Sequence, residues 1–242
     1  MRALLKKHIP LNIVRLVCTA VIAALLARSL ICGNWRHVLY SVITFAFMFL
    51  PELVIFVLKL DVPDSLSIVY IVMLFSANIL GELVELYILL PIWDSLLHFI
   101  SGFFIALLGC SLFEFMTGET PKPLPAALFA FMSAIVFSVL WEYFEYFMDS
   151  VFHTDMQKDR LLSSVSSILL NPDGINVPVT REAGSVVVNG EVWPGYIDIG
   201  LHDTMSDMLI ASLGALIASV FCFLNEKNVR LFRFIRVFFI RR

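Results

Sequence analysis

Charged residues are scarce in this sequence of 242 residues. Only 15% are Asp, Glu, Lys or Arg, against about 25% in a typical soluble domain, whereas 60% are hydrophobic. The composition therefore excludes an ordinary soluble globular domain. The net charge of -3, with the basic residues crowded at the two ends, also gives no basic patch for nucleic acid. The hydrophobic composition is instead typical of a protein that lies in a lipid bilayer.

The sequence also lacks the cysteine and serine motifs that carry chemistry in many enzymes. Its four cysteines fall within or at the ends of apolar segments, without CxxC spacing or accompanying histidines: Cys18, Cys32, Cys110 and Cys222. We interpret them as small apolar residues. Because no nucleophilic Ser or Cys motif is present, covalent catalysis is the weaker mechanism for any enzyme built on this chain.

Long apolar runs, by contrast, are abundant. Windows of about 19 residues predict six transmembrane helices, at 11–32, 36–58, 65–90, 94–116, 125–148 and 203–224. Each run is close to the roughly 20 residues that cross the hydrocarbon core as a helix. The predicted fold class is therefore an all-α polytopic bundle of about six spans, forming one transmembrane domain over residues 1–224.

Lysine and arginine are distributed unevenly between the two predicted sides. One side holds Arg2, Lys6, Lys7, Lys59, Lys122, Lys227, Arg230, Arg233, Arg236, Arg241 and Arg242, and the other holds Arg28, Arg36 and three residues of a long loop. Because positive residues near the ends of spans stay in the cytoplasm, we predict that both termini are cytoplasmic.

Two segments outside the spans have patterns of their own. In the long non-cytoplasmic loop, 149–202, apolar residues flank Asn189-Gly190, which favours a small β-hairpin. The alternative is a mere connector, although loops of this length are usually functional or disordered. The tail, 225–242, mixes arginines with large apolar residues and is predicted to be an interfacial helix on anionic lipid.

Ionisable residues recur at spacings of three or four inside four of the spans. They are Glu82 and Glu85 in the third, Asp94 and His98 in the fourth, Glu142, Glu145 and Asp149 in the fifth, and Asp203 and Asp207, preceded by His202, in the sixth. This spacing puts each set on one helical face. At 1.5 Å per residue, most lie within about 13 Å of the non-cytoplasmic ends of their helices. A shared site in one leaflet is therefore predicted.

So many carboxylates in one layer require counter-charges. The four helices offer no lysine or arginine at this depth, which leaves protons or metal ions. The predicted ligands of one or two divalent ions, such as zinc, manganese or iron, are Asp94, His98, Glu142, Glu145, Asp203 and Asp207. The candidates for catalytic proton transfer are Glu82, Glu85, Asp149 and His202. Three interpretations of His202 stay open: a metal ligand, a proton shuttle or a loop residue.

Each residue taken alone has a structural alternative. Asp94 and Asp203 stand where helix N-caps belong, and an isolated His98 would be a hydrogen-bonded interior histidine. Glu142 and Glu145 lie beside aromatic residues and suit an interfacial belt. The two glutamates of the third span share that alternative. Only the conjunction of these residues favours a common site.

Three short motifs carry a family resemblance. They are WDSLLHFISG at Trp93–Gly102, WEYFE at Trp141–Glu145 and HDTMSDM at His202–Met208. They resemble the signature of YjdF-type bacterial inner-membrane proteins, a family without an assigned activity. The matching positions are Asp94, His98, Gly102, Glu142, Glu145, Asp203, Asp207 and Met208. The resemblance, from about residue 75 to 215, implies a bacterial cytoplasmic membrane.

This sequence departs from the family pattern at two motifs. Ser101 stands where the pattern has Gln, and Gly200-Leu-His202 replaces a Gln-Gly-Asp-like approach to the last motif. The loop that holds the predicted hairpin is also longer than the resemblance implies. These departures leave the substrate open.

Two functions compete, and a structural or assembly protein is third. The first is a metal-dependent hydrolase for a lipid or lipid-linked group, because a head group reaches a shallow site without crossing the membrane. The second is a proton- or divalent-metal-coupled transporter. Transporter sites usually lie near the midplane and use broken helices in repeated halves, and the sequence has no convincing internal repeat. Membrane lipid is the expected partner, and the oligomeric state stays open.

Overall fold

The computed structural model describes residues 8–118 and 122–240. Within these ranges, six helical segments are long and apolar enough to cross a membrane: Ile9–Ile31, Trp35–Leu58, Asp64–Leu83, Trp93–Thr117, Pro123–Phe152 and Leu201–Glu226. The prediction of an all-α fold with about six spans is confirmed. Arg2, Lys6, Lys7, Arg241 and Arg242, which support the predicted orientation, lie outside the described residues, and the orientation stays a prediction.

The described α-helices are numbered in chain order. They are α1 Ile9–Ile31, α2 Trp35–Phe47, α3 Leu50–Leu58, α4 Asp64–Phe75, α5 Leu86–Leu89, α6 Trp93–Thr117, α7 Pro123–Phe152 and α8 Leu201–Glu226. The second span is thus two helices. Pro51 stands in the first turn of α3. Because proline has no N–H and its ring clashes with the carbonyl four residues earlier, it interrupts the helix and starts a new one.

The third span departs most from its predicted bounds. After α4, residues Ser76–Leu83 form a π-helix, and the chain breaks at Glu85, which has a left-handed φ of 64°. A side chain at Gly81 would overlap the ring of Tyr87. The missing side chain therefore lets the chain turn back and pack Tyr87 against the π-helix. The expectation of one regular helix over 65–90 is wrong beyond its first three turns.

The described residues divide into two compact parts. One consists of the residues up to Ser138 together with those from Leu209, and the other is Val139–Met208. The core of the first part is a cluster rich in small residues from α6, α7 and α8, with two residues of the tail: Ala106, Leu107, Cys110, Ala126, Ala130, Ala134, Ala215, Ala218, Cys222, Ile235 and Phe239. Small side chains let helix backbones approach closely, as is common in membrane proteins.

Glycines mark the closest approaches within this first part. A Cβ atom on Gly102 of α6 would overlap the carbonyl oxygen of Ala211 in α8, and one on Gly214 would overlap the carbonyl oxygen of Phe99. The backbones of α6 and α8 are therefore in direct contact at this level.

The second part contains six short strands among its described residues: β1 Arg160–Leu162, β2 Ser164–Ser167, β3 Val179–Glu182, β4 Val186–Val188, β5 Glu191–Trp193 and β6 Tyr196–Asp198. They form three antiparallel pairs, β1 with β6, β2 with β3, and β4 with β5. Asn189 and Gly190, with φ of 52° and 89°, make the tight turn between β4 and β5. The predicted hairpin is confirmed.

Candidate metal centre

The beginning of α6 supplies two of the predicted ligands. Asp94 and His98 are four residues apart and therefore share one face of the helix. Nε2 of His98 lies 3.6 Å from Oδ1 of Asp94. This separation is too long for a hydrogen bond between the two atoms. It is close to the separation of about 3.4 Å between two ligand atoms of a tetrahedral zinc ion with bonds of about 2.0–2.1 Å.

The packing of α6 on α8 sets the level of the third ligand. Gly102, one turn after His98, contacts Ala211, and Asp207 lies one turn before Ala211 on the same unbroken helix. Further along, Glu114 of α6 and Glu226 of α8 both lie within 3.4 Å of the guanidinium group of Arg236, so the two helices run in the same direction. Moving back one turn from Gly102 and Ala211 therefore brings His98 and Asp207 level with each other.

Asp94, His98 and Asp207 form a group that is able to hold a metal ion. Each offers one ligand atom, and the three atoms lie within 4.8 Å of one another. His98 is 9% exposed and Asp207 is 3% exposed. Two carboxylates and one imidazole suit zinc, manganese or iron. Three protein ligands also leave a coordination position open, as catalytic zinc sites do.

Asp94 is not the N-cap residue of α6, contrary to the structural alternative given above. The helix α6 begins at Trp93, so Asp94 lies inside its first turn, and Ile92 occupies the cap position. Near α8, Asp198 accepts a hydrogen bond of 2.8 Å from the backbone N–H of His202 in the first turn. The side chain that serves the beginning of α8 is thus Asp198, which the sequence interpretation did not single out.

Asp203 has a pairing of its own in the second part. Its Oδ2 accepts a hydrogen bond of 2.8 Å from the backbone N–H of Lys158, and its Oδ1 lies 3.5 Å from Nη2 of Arg160. The counter-charge of this acid is therefore an arginine from strand β1. The helices α6, α7 and α8 contain no lysine or arginine, and the folded loop supplies this cation.

The two glutamates of α7 are buried but do not belong to the three-residue group. Glu142 and Glu145 are 3% and 7% exposed. Oε1 of Glu145 accepts a hydrogen bond of 2.8 Å from the indole N–H of Trp141. This bond orients one carboxylate along the helix. The roles of Glu142, Glu145 and Asp203 as metal ligands stay predictions.

The predicted proton-transfer residues also lie outside the three-residue group. Oε2 of Glu82 accepts a hydrogen bond of 2.6 Å from Nη2 of Arg36 in α2. Glu85 and His202 are exposed, the first at the break after the π-helix and the second in the first turn of α8. Their catalytic roles, like that of Asp149, stay predictions.

Asp149, near the end of α7, holds the segment that follows it. Its carboxylate accepts hydrogen bonds from the backbone N–H of Met156 at 2.7 Å, the backbone N–H of Gln157 at 2.8 Å and the hydroxyl of Thr154 at 2.6 Å. Three such bonds satisfy most of the acceptor capacity of one carboxylate. They give Asp149 a structural role in ordering the loop.

We expect Asp149→Asn to open this loop to proteolysis. An amide has one acceptor oxygen and turns its NH₂ towards N–H donors, and hydrogen bonds to a charged group are worth about 1.5–3 kcal/mol each. Trypsin should therefore cut after Lys158 at least about tenfold faster than in the wild type, as measured by mass spectrometry of timed digests. Asp173→Asn, a change of an exposed loop acid, is the control. Equal rates in Asp149→Asn and wild type would contradict this role.

Several acids of the loop lie close enough to affect one another. Partial burial raises the pKa of Asp159, and the negative charges of Asp155, Asp149 and Asp198 raise it further, against the opposing effect of Lys158. Protonation of Asp159 therefore depends on the charges of the three neighbouring acids.

One family model matches this chain. The model of the family DUF2238, described as predicted membrane proteins, matches residues 13–228. The chain belongs to this family. DUF2238 is the YjdF-like family, so the resemblance is confirmed. The DUF2238 match reaches into all six spans and includes the three motifs. No curated protein and no solved structure matches the chain.

Proposed function

We propose that this DUF2238 protein is a metal-dependent membrane hydrolase that acts on a lipid or lipid-linked group. The observation that carries the proposal is the group of Asp94, His98 and Asp207, with its three ligand atoms within 4.8 Å. The charge balance of this group supports the proposal, since the two carboxylates offset the charge of a divalent ion and His98 contributes a neutral nitrogen donor. A bound ion supplies Lewis acidity and activates water.

Two buried acids of α7 have the chemistry for proton transfer. Glu142 and Glu145 are both almost fully buried, and the bond from Trp141 orients Glu145. Hydrolysis requires one group to accept a proton and one to return it to the leaving group. We assign these two steps to Glu142 and Glu145, because both are buried carboxylates that lie outside the three-residue group.

The position of the ligands along their helices supports a substrate from the lipid layer. Asp94 is the second residue of α6 and Asp207 is the seventh of α8. At 1.5 Å per residue, these positions lie within about 10 Å of the helix ends. A phosphate or ester group at the membrane interface can therefore approach the ligands while its acyl or prenyl chain stays in the hydrocarbon.

The proposal is tested with protein purified in detergent and loaded separately with zinc, manganese or iron. We expect about one ion per chain, and release of phosphate or fatty acid from phosphatidic acid, phosphatidylglycerol or a polyprenyl diphosphate. Asp207→Asn should lower that release at least about a hundredfold. Asp173→Asn should leave the release unchanged. Metal binding without hydrolysis of any of these lipids would contradict the hydrolase.

One observation favours transport as the second candidate. The third span is not a regular helix, because it becomes π-helical at Ser76 and breaks at Glu85. Broken or π-helical segments recur at transport and other functional sites. Uptake of zinc or manganese into proteoliposomes, in the absence of any lipid hydrolysis, would support a metal- or proton-coupled transporter instead. If the protein binds no metal, and variants of the three-residue group reduce only the folding yield, the result would support a structural or assembly protein.

A further inference from the structure

The segment after α8 has a period of three. Residues Arg230–Phe238, with the sequence RLFRFIRVF, form a 3₁₀-helix. Because a 3₁₀-helix has three residues per turn, side chains three apart lie directly above one another. The nine residues therefore form three ridges: an arginine ridge of Arg230, Arg233 and Arg236, an outer apolar ridge of Leu231, Phe234 and Val237, and an inner ridge of Phe232, Ile235 and Phe238.

The inner ridge attaches the segment to the helices. Ile235 is completely buried, and the ring of Phe238 lies 5.2 Å from that of Phe104 in α6. The ring of Phe232 lies 5.0 Å from that of Phe221 in α8. The tail thus packs on the core along its inner ridge. This contact determines where the arginine ridge and the outer apolar ridge lie.

One arginine strengthens this attachment. Nη1 of Arg236 lies 3.3 Å from Oε1 of Glu114 in α6, and its Nη2 lies 3.4 Å from Oε1 of Glu226 in α8. Beyond the helix, the backbone N–H of Ile240 donates a hydrogen bond of 2.6 Å to the hydroxyl of Ser111. Arg236 therefore serves as the internal partner of two acids.

The outer apolar ridge is more than half exposed, although the ring of Phe234 also lies 6.0 Å from that of Phe221 in α8. Leu231 is 76% exposed, and Phe234 and Val237 are each 54% exposed. Beside them, Arg230 and Arg233 are exposed and make no ion pair with an acid within residues 8–118 and 122–240. An apolar ridge next to two unneutralised guanidinium groups is complementary to a lipid with an anionic head group.

We propose that Arg230–Phe238 is a binding surface for anionic phospholipid, in which Arg230 and Arg233 bind the head-group phosphate and Leu231, Phe234 and Val237 contact the upper acyl chains. The chain belongs to a family of predicted membrane proteins, and the tail directly follows α8, a helix long and apolar enough to cross a membrane. Charge selects the lipid, since guanidinium groups bind phosphate through paired hydrogen bonds. This surface is independent of the candidate metal centre.

The test is native mass spectrometry of the full-length protein, purified in neutral detergent and given equal amounts of phosphatidylglycerol and phosphatidylcholine. We expect at least about fivefold more retained phosphatidylglycerol than phosphatidylcholine in the wild type. Arg230→Gln with Arg233→Gln should reduce the preference to near one. Arg28→Gln with Arg181→Gln removes the same charge elsewhere and should keep it.

A second variant separates lipid binding from binding of phosphate alone. Leu231→Ser with Phe234→Ser should lower the retention of phosphatidylglycerol several-fold while both arginines remain, and excess inorganic phosphate should not displace the lipid from the wild type. Equal retention of the two lipids by the wild type, or full preference in the Arg230 and Arg233 variant, would overturn the proposal. Loss of a dimer in these variants, with lipid retention unchanged, would also overturn it and assign the surface to a second copy of the chain.

Discussion

His98→Ala is expected to remove the metal ion from the purified protein. His98 is the one nitrogen donor of the group that it forms with Asp94 and Asp207 within residues 8–118 and 122–240. Its loss leaves two carboxylates and no third ligand from this group. Because even a residue that only supports a ligand changes metal affinity by about 10- to 100-fold, loss of a ligand should cost at least about 100-fold. Elemental analysis after dialysis should show the metal content falling from about one ion per chain to under about 0.1.

The matched control is His153→Ala, which removes an exposed histidine beyond the end of α7. It should keep the metal content of the wild type. Asp207→Asn tests the same group from α8, since it keeps the shape of the side chain and removes the negative charge. A His98→Ala protein that melts normally and still retains one ion would exclude Asp94, His98 and Asp207 as the metal centre.

Gly102→Ala should have the second large effect, on stability and on the metal centre together. The added methyl group would overlap the carbonyl oxygen of Ala211, which belongs to a helix backbone and has no rotamer to change. The helices α6 and α8 must therefore separate. Overpacking of a core costs about 1–3 kcal/mol, which for a chain of this length corresponds to a fall in melting temperature of about 2–12 °C.

Since His98 lies one turn before Gly102 and Asp207 one turn before Ala211, the same separation should lower metal affinity. The measurements are thermal unfolding in detergent and chelator competition for the ion. Gly184→Ala is the control, because a Cβ atom there meets nothing within 4 Å. An unchanged melting temperature in Gly102→Ala would contradict the close packing. A lower melting temperature with unchanged metal affinity would separate this contact from the metal centre.

Some features of the protein are local, and these could be predicted from the sequence. Apolar runs of sufficient length predicted the six spans, since a helix is the way for a single segment to satisfy its backbone in lipid. Asn189-Gly190 between apolar residues predicted a hairpin, because these two residue types accept positive φ. Spacing by four predicted that Asp94 and His98 share a face, because helical periodicity is a property of one segment.

Other features depend on how segments meet, and only the tertiary structure decided them. Six residues were predicted as ligands, and the packing at Gly102 and Ala211 determines that Asp207 lies level with His98. Arg160 pairs with Asp203 because the loop folds back, and Tyr87 packs on Gly81 because the third span breaks. Periodicity determines the face of a helix that carries a side chain. The rotation and height of that helix beside its neighbours follow from close packing of residues far apart in sequence, and a pattern within one segment contains no information about them.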